Sequence, residues 1–238
     1  MGYKSGRSLG WKNGNRLHVD YVSVLFRHRR LPKVNARVRR IVAIALMWCA
    51  VLVIGAIGAA YAGSDATLKN LETAYNGESN AQNKYLACAQ QADEEGYGVA
   101  ASLFRAAARS NEILLNNQTA IIKKMGAVPK SDVRWPVVGT TWRNLDPSAN
   151  RDEAGELNAM YPEFIRQARA DLNANAAQAF EYARDAEAQR SKLFAKAWGD
   201  LGHMRGKSGT YYVCAVSAFT METPDGSKCP DGKYETIK

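Results

Sequence analysis

Four long stretches of this chain repeat apolar residues at three- and four-residue steps, and one proline-rich interval divides them into two pairs. This spacing is the signature of amphipathic helices that bury one face each. The first helix is expected from a cap at Ser64 or Asp65 to about residue 93. Its stripe runs Leu68, Leu71, Tyr75, Glu78, Tyr85, Ala89 and Ala92, and Gly96 and Gly98 break it. The second runs from about Val99 to Lys124, with Phe104, Ala107, Asn111, Leu114, Gln118 and Ile121 on one face and Gly126 closing it. Residues 127–147 carry Pro129, Pro136 and Pro147 and read as a long connection with little regular structure. A third helix is expected over roughly 152–173, with Glu153, Glu156, Met160, Phe164 and Gln167 on one side. Asn173 and Asn175 turn the chain into a fourth, over about 175–201, which aligns Phe180, Ala183, Glu187, Arg190 and Phe194.

Two helical hairpins joined by one long crossover make an all-α, ferritin-like four-helix bundle, here over residues 63–205. Residues 206–238 are rich in Gly, Pro and Lys, carry two of the four cysteines, and read as a separate small lobe. In it Cys214 is followed three residues later by Ser217, and Cys229 by Gly232. Two Cys-x-x-Cys turns would aim four thiolates at one tetrahedral ion; here each turn keeps one thiol.

The formal net charge of +9 does not point to nucleic acid. Eleven Lys and Arg against one Asp lie in residues 1–40, and the rest of the chain is close to neutral. After that basic leader, residues 41–62 hold 22 residues without a charge. A bilayer-spanning helix needs about 20, and the flanking arginines set the N-terminus in the cytoplasm. The run ends in Ala60-Tyr61-Ala62, the small-x-small pattern of a signal-peptidase site. Its length favours a retained transmembrane anchor and its ending favours a cleaved signal peptide. Either way the chain beyond residue 63 is expected in an exported, periplasmic compartment where thiols oxidise.

Glu78, Glu153, Glu156 and Glu187 fall on the faces expected to point inward. One such Glu is usually a boundary residue reaching water. Four on three helices need a metal, a proton or a cation, because an unpaired carboxylate in a core is expensive. At this point the segment "NLETAYNGESNAQNKYLACAQQADEEGYGVAASLFRAAARSNEI", with "AMYPEF" and "YYVC", resembles the rubrerythrin family over residues 66–238. The resemblance implies a di-iron centre in the bundle and reduction of hydrogen peroxide. It also implies a rubredoxin-like tail whose iron, bound by four cysteines, relays electrons.

Carried over residue by residue, that implication is incomplete. Glu78 stands at the first-helix ligand and Tyr85 at a tyrosine near the metals. Glu153 and Glu156 stand at the third-helix pair, and Tyr161 at a second tyrosine beside the site. One extra residue between Leu145 and that pair lets Asp152 compete for the register. Glu187 stands at the fourth-helix carboxylate. Asn111 and Leu114 replace the second-helix Glu and His, and Arg190 replaces the fourth-helix His. The count of imidazoles agrees: His18 and His28 lie in the leader and His203 beyond the fourth helix. Sites of this kind normally set imidazole beside carboxylate. Glu112 is rotated about 100° from the lost ligand and is no substitute.

Arg190 can stand where a metal ion would have been, donating to Glu187 and a neighbouring carboxylate; the alternative has it pointing to solvent. If the tail keeps the implied fold, Cys214 and Cys229 stay neighbours and are expected to close as a disulfide. Cys88 reads as a small buried apolar residue. Three functions follow: a structural or interaction protein that has lost the family's chemistry, a peroxidase with a rearranged iron site, or a carboxylate-based metal binder. The resemblance also implies a homodimer. Trp135 and Trp142, in the crossover, cover the bundle or form a contact surface.

Overall fold

The computed structural model describes residues 35–146 and 156–238; the side chains of most residues from 36 to 64, and that of Glu156, lie outside the described part. The chain divides into two compact units, Met1–Leu52 and Val53–Lys238, and the second holds the helix packing and the sheet. The elements are α1 (Ala36–Glu94), α2 (Gly98–Lys124), α3 (Thr141–Leu145), a π-helical turn (Glu156–Met160), α4 (Tyr161–Ala170) and α5 (Ala174–Asp200). Three short strands follow: β1 (Tyr211–Cys214), β2 (Thr220–Met221) and β3 (Tyr234–Ile237).

The expected helix start at Ser64 or Asp65 is not there. α1 continues through both residues, because neither breaks a helix and a lone Gly63 costs only about 1 kcal/mol. The apolar run 41–62 belongs to this helix, but its side chains lie mostly outside the described residues. Among the described residues no helix is long and apolar enough to cross a membrane. α1 ends where Gly96 takes φ of +78°, with the Tyr97 amide returning to the Ala92 carbonyl at 2.8 Å. The crossover is not wholly irregular, since Thr140 caps the short α3 by accepting from the Arg143 amide. The third helical stretch ends a few residues before its pattern does: the π-helical turn leads into α4 over 161–170, with Pro162 in its first turn, and residues 147–155 lie outside the described part. Asn173 caps α5 through the Ala176 amide at 3.1 Å.

Alanines let α2 approach its neighbours closely, with Ala100, Ala101, Ala106, Ala107 and Ala108 all buried. Two aromatic clusters fix how the helices align. Tyr85 of α1, Phe104 of α2 and Phe194 of α5 meet with ring centroids 5.3–6.2 Å apart. Tyr161, Phe164 and Phe180 meet at 5.3–6.4 Å. Thr67 Oγ1 donates to Asp171 at 2.5 Å and ties α1 to the α4–α5 turn.

The C-terminal residues form a three-stranded antiparallel sheet in the order β2–β1–β3. Tail and bundle belong to one compact unit. Arg109 of α2 grips Glu235 of β3 through two 2.6 Å hydrogen bonds. Asn117 Nδ2 donates to the Val216 carbonyl at 3.0 Å, and Lys196 of α5 pairs with Glu222 at 2.7 Å. A side chain at Gly98 would start 2.7 Å from the Lys207 carbonyl, so only glycine lets the tail pass the start of α2 so closely. Cys214 and Cys229 are joined in a disulfide, as expected.

Candidate metal centre

Glu78, Asn111 and Glu187 each lie seven residues from a member of the Tyr85–Phe104–Phe194 cluster. α2 runs antiparallel to α1 and α5, so all three sit about two turns, or roughly 10 Å, along the bundle from those rings. This polar layer is buried. Glu78 is 2 % exposed, Asn111 0 %, Glu187 5 % and Arg190 3 %.

The three charged groups have partners within this chain. The Tyr161 hydroxyl donates to Glu78 Oε1 at 2.8 Å. Arg190 lies one helical turn beyond Glu187, with Nη2 3.9 Å from Glu187 Oε1. Its Nη1 donates to Ser110 Oγ at 2.8 Å, and Ser110 Oγ donates onward to the Ala218 carbonyl at 2.8 Å. Arg190 thus points inward, and the solvent-facing alternative is excluded. Leu114 fills its position with an apolar side chain that is 1 % exposed. Glu112 turns outward and pairs with Arg109 at 2.8 Å. Tyr85 is 2 % exposed and packed between the two phenylalanines.

Glu153 and Asp152 lie outside the described residues, as does the side chain of Glu156. The backbone at Glu156 is in the π-helical turn, which accommodates one extra residue within a helix. Among the described residues both amide atoms of Asn111 lack a hydrogen-bond partner, as do both of Gln118, which is also 0 % exposed. Each such group costs about 1–3 kcal/mol relative to a satisfied one.

A groove of about 710 Å³ opens beside α1 and the crossover and reaches Tyr161, the hydrogen-bond donor to Glu78. Asn76, Lys84, Arg134 and Trp135 stand at its sides, with Tyr85 and Tyr161 also lining it. Trp135 is 94 % exposed, whereas Trp142 packs against Trp198 of α5 at 5.5 Å. The two crossover tryptophans are therefore in different settings.

The family model for rubrerythrin matches residues 69–198, more than half of the chain. The chain belongs to the rubrerythrin family. It is 32 % identical to nigerythrin of Nitratidesulfovibrio vulgaris over 166 residues, covering 69 % of this chain and 81 % of that protein. It is 32 % identical to rubrerythrin-2 of Clostridium acetobutylicum over 163 residues, covering 67 % and 88 %. The structure of fully reduced, all-ferrous nigerythrin superposes with a TM-score of 0.59 at 31 % identity, over 65 % of this chain and 75 % of that one. A Desulfovibrio desulfuricans bacterioferritin with a diiron site matches at a TM-score of 0.54 and 17 % identity, a likeness of fold. The ferritin-like bundle expected from the helix pattern is thereby shown.

The described residues do not fit a rubrerythrin-type pair of irons. Their only histidine, His203, is exposed beyond α5. Among the described side chains the layer offers Glu78, Glu187 and the Asn111 amide oxygen, and Leu114 stands where the resemblance implies the second-helix imidazole. A guanidinium stands beside Glu187, where its fixed charge opposes a divalent ion. Among the described residues the one cluster of three metal-ligating types is Cys214, Cys229 and Asp231, and its sulfurs are joined to each other.

Proposed function

We propose that this chain is an exported member of the rubrerythrin family whose bundle no longer works as a di-iron peroxidase and which acts as a structural or interaction protein. The observation that carries the reading is Arg190. Its guanidinium is buried one turn from Glu187, in the layer that the family resemblance assigns to iron, so that the charge balance comes from the chain itself. Tyr161 donates a hydrogen bond to Glu78, which eases the burial of that carboxyl without cancelling a charge. The tail is read as a degenerate rubredoxin-like lobe. A disulfide passes electrons in pairs and cannot serve as a one-electron relay, so the lobe is kept for shape. The apolar run 41–62 anchors the chain or exports it, the bundle faces the periplasm, and two copies associate as a homodimer.

Peroxide consumption by the purified full chain after loading with ferrous iron tests this reading. No more turnover is expected than from a Glu78→Ala, Glu187→Ala double variant. Turnover that the double variant loses would establish an enzyme instead.

One feature favours that second reading, a peroxide-reducing oxidoreductase with an altered site. The groove reaches Tyr85 and Tyr161 from the surface, and both relatives are named for the rubrerythrin and nigerythrin type. In that reading Glu78, Glu153, Glu156 and Glu187 would hold the iron, or a harder ion in the carboxylate-binder variant, and Arg190 would tune it.

A further inference from the structure

We propose that the redox state of the Cys214–Cys229 disulfide is coupled to the buried Glu187–Arg190 pair through the hydroxyl of Ser110. The inference goes beyond the loss of peroxide chemistry and does not depend on whether the bundle holds iron.

Ser110 sits on α2 with 0 % exposure, between two parts of the molecule. On one side it accepts from Arg190 Nη1 at 2.8 Å; on the other it donates to the Ala218 carbonyl at 2.8 Å. Ala218 belongs to the turn that the disulfide closes. Its amide donates to the Cys214 carbonyl at 3.0 Å, and the Ser217 amide faces Cys214 Sγ at 3.4 Å. Ser217 Oγ reaches across to the Lys228 carbonyl at 3.0 Å, next to Cys229. Ala218 is itself fully buried at φ of +62°, a left-handed conformation that an alanine avoids unless its surroundings impose it. The disulfide is the covalent part of those surroundings. The buried cation of the bundle and the staple of the tail therefore share one hydroxyl.

A dithiol reductant would act in two balanced steps. Its thiolate attacks Cys229 Sγ, the S–S bond breaks, and Cys214 leaves as a thiolate that takes a proton. The reductant's second thiolate then resolves the mixed disulfide, releasing Cys229 as a thiol and the reductant as its own disulfide. Both cysteines are buried, and Cys229 is the slightly more exposed residue, at 3 % against 0 % for Cys214. A groove of about 580 Å³, lined by Gln189, Lys192, Ser217, Lys228 and Pro230 among others, opens next to it. Once the sulfurs part, the turn can relax at Ala218. Its carbonyl then leaves Ser110, and the hydroxyl that holds Arg190 loses its own anchor. Linkage makes the effect reciprocal: whatever disturbs Ser110 must change the ease of reduction.

The test equilibrates the full-length protein with a dithiothreitol redox buffer and measures the ratio of disulfide to dithiol in the wild type and in Ser110→Ala. Coupling predicts a shift toward the dithiol of about five-fold or more, the effect of one hydrogen bond present only in the oxidised form. An equilibrium unchanged within two-fold of wild type, on the scale of about five-fold per hydrogen bond, overturns the proposal. A second reading needs no Ala variant. The guanidinium Nε–H resonance of Arg190, identified by its loss in Arg190→Lys, should move when the wild type is reduced. A resonance that stays in place also overturns it.

Discussion

Replacing Arg190 by Met tests whether the guanidinium balances the bundle centre. Met matches the length of the stem and fills the space without strain. The change strips Glu187 of a cation 3.9 Å away in surroundings where the two side chains are 6 % and 4 % exposed. Removing one partner of a buried pair costs about 3–5 kcal/mol, because the remaining charge stays out of water. For a unit of this size each kcal/mol moves the melting temperature by about 2–4 °C, so the shift should be roughly 6–20 °C. Glu187→Gln together with Arg190→Met removes both charges, and should recover most of the loss. Urea denaturation of the wild type, both single variants and the double variant gives the coupling energy, expected at the upper end of the about 0.5–3 kcal/mol seen for groups in contact. An Arg190→Met protein within about 0.5 kcal/mol of wild type would refute the reasoning, since that is the range of an ordinary surface change. A double variant no more stable than the single would do so too.

Other consequences are simpler. Full-length denatured protein should titrate two thiols without reductant and four with it, the difference being the Cys214–Cys229 pair. Replacing both those cysteines by Ser should lower the unfolding free energy by about 3 kcal/mol for a fifteen-residue step, read from urea curves. Tyr161→Phe removes the donor to Glu78 and should cost about 1–3 kcal/mol by the same assay. The Glu235 carboxyl is held below its ordinary 4.5, mainly by its hydrogen bond from Arg109. A depressed carboxyl stabilises above its unfolded value, and the gain is lost as pH falls from 4.5 through the folded value. The melting-temperature gap between wild type and Glu235→Gln should therefore narrow on acidification below that point. A gap that widens would contradict it.

The helices were legible because their inward residues recur every three or four positions and their ends carry Gly96, Gly126 and Asn173. The start of α1 was not, since Ser64 and Asp65 cap a helix only where the chain before them is not already helical. The cysteine pairing could be expected once the tail's fold was supposed, for loss of two ligands leaves the other two as neighbours. The absence of imidazole was plain from three histidines and their places. Partners across the bundle were beyond reach. That Tyr161 bonds Glu78 depends on the helix alignment set by the aromatic clusters. That Ser110 joins Arg190 to Ala218 depends on the sheet docking against α2, which no local pattern announces. Ser110 follows Arg109, whose grip on Glu235 is part of that docking, but neither residue's spacing marks it as a contact.

Iron-edge anomalous diffraction from crystals of the full chain soaked in ferrous salt tests the central claim most directly. With Glu187 already paired with Arg190 and Glu78 hydrogen-bonded by Tyr161, no strong peaks are expected between Glu78 and Glu187. Two strong peaks there, with Arg190 displaced, would contradict the account.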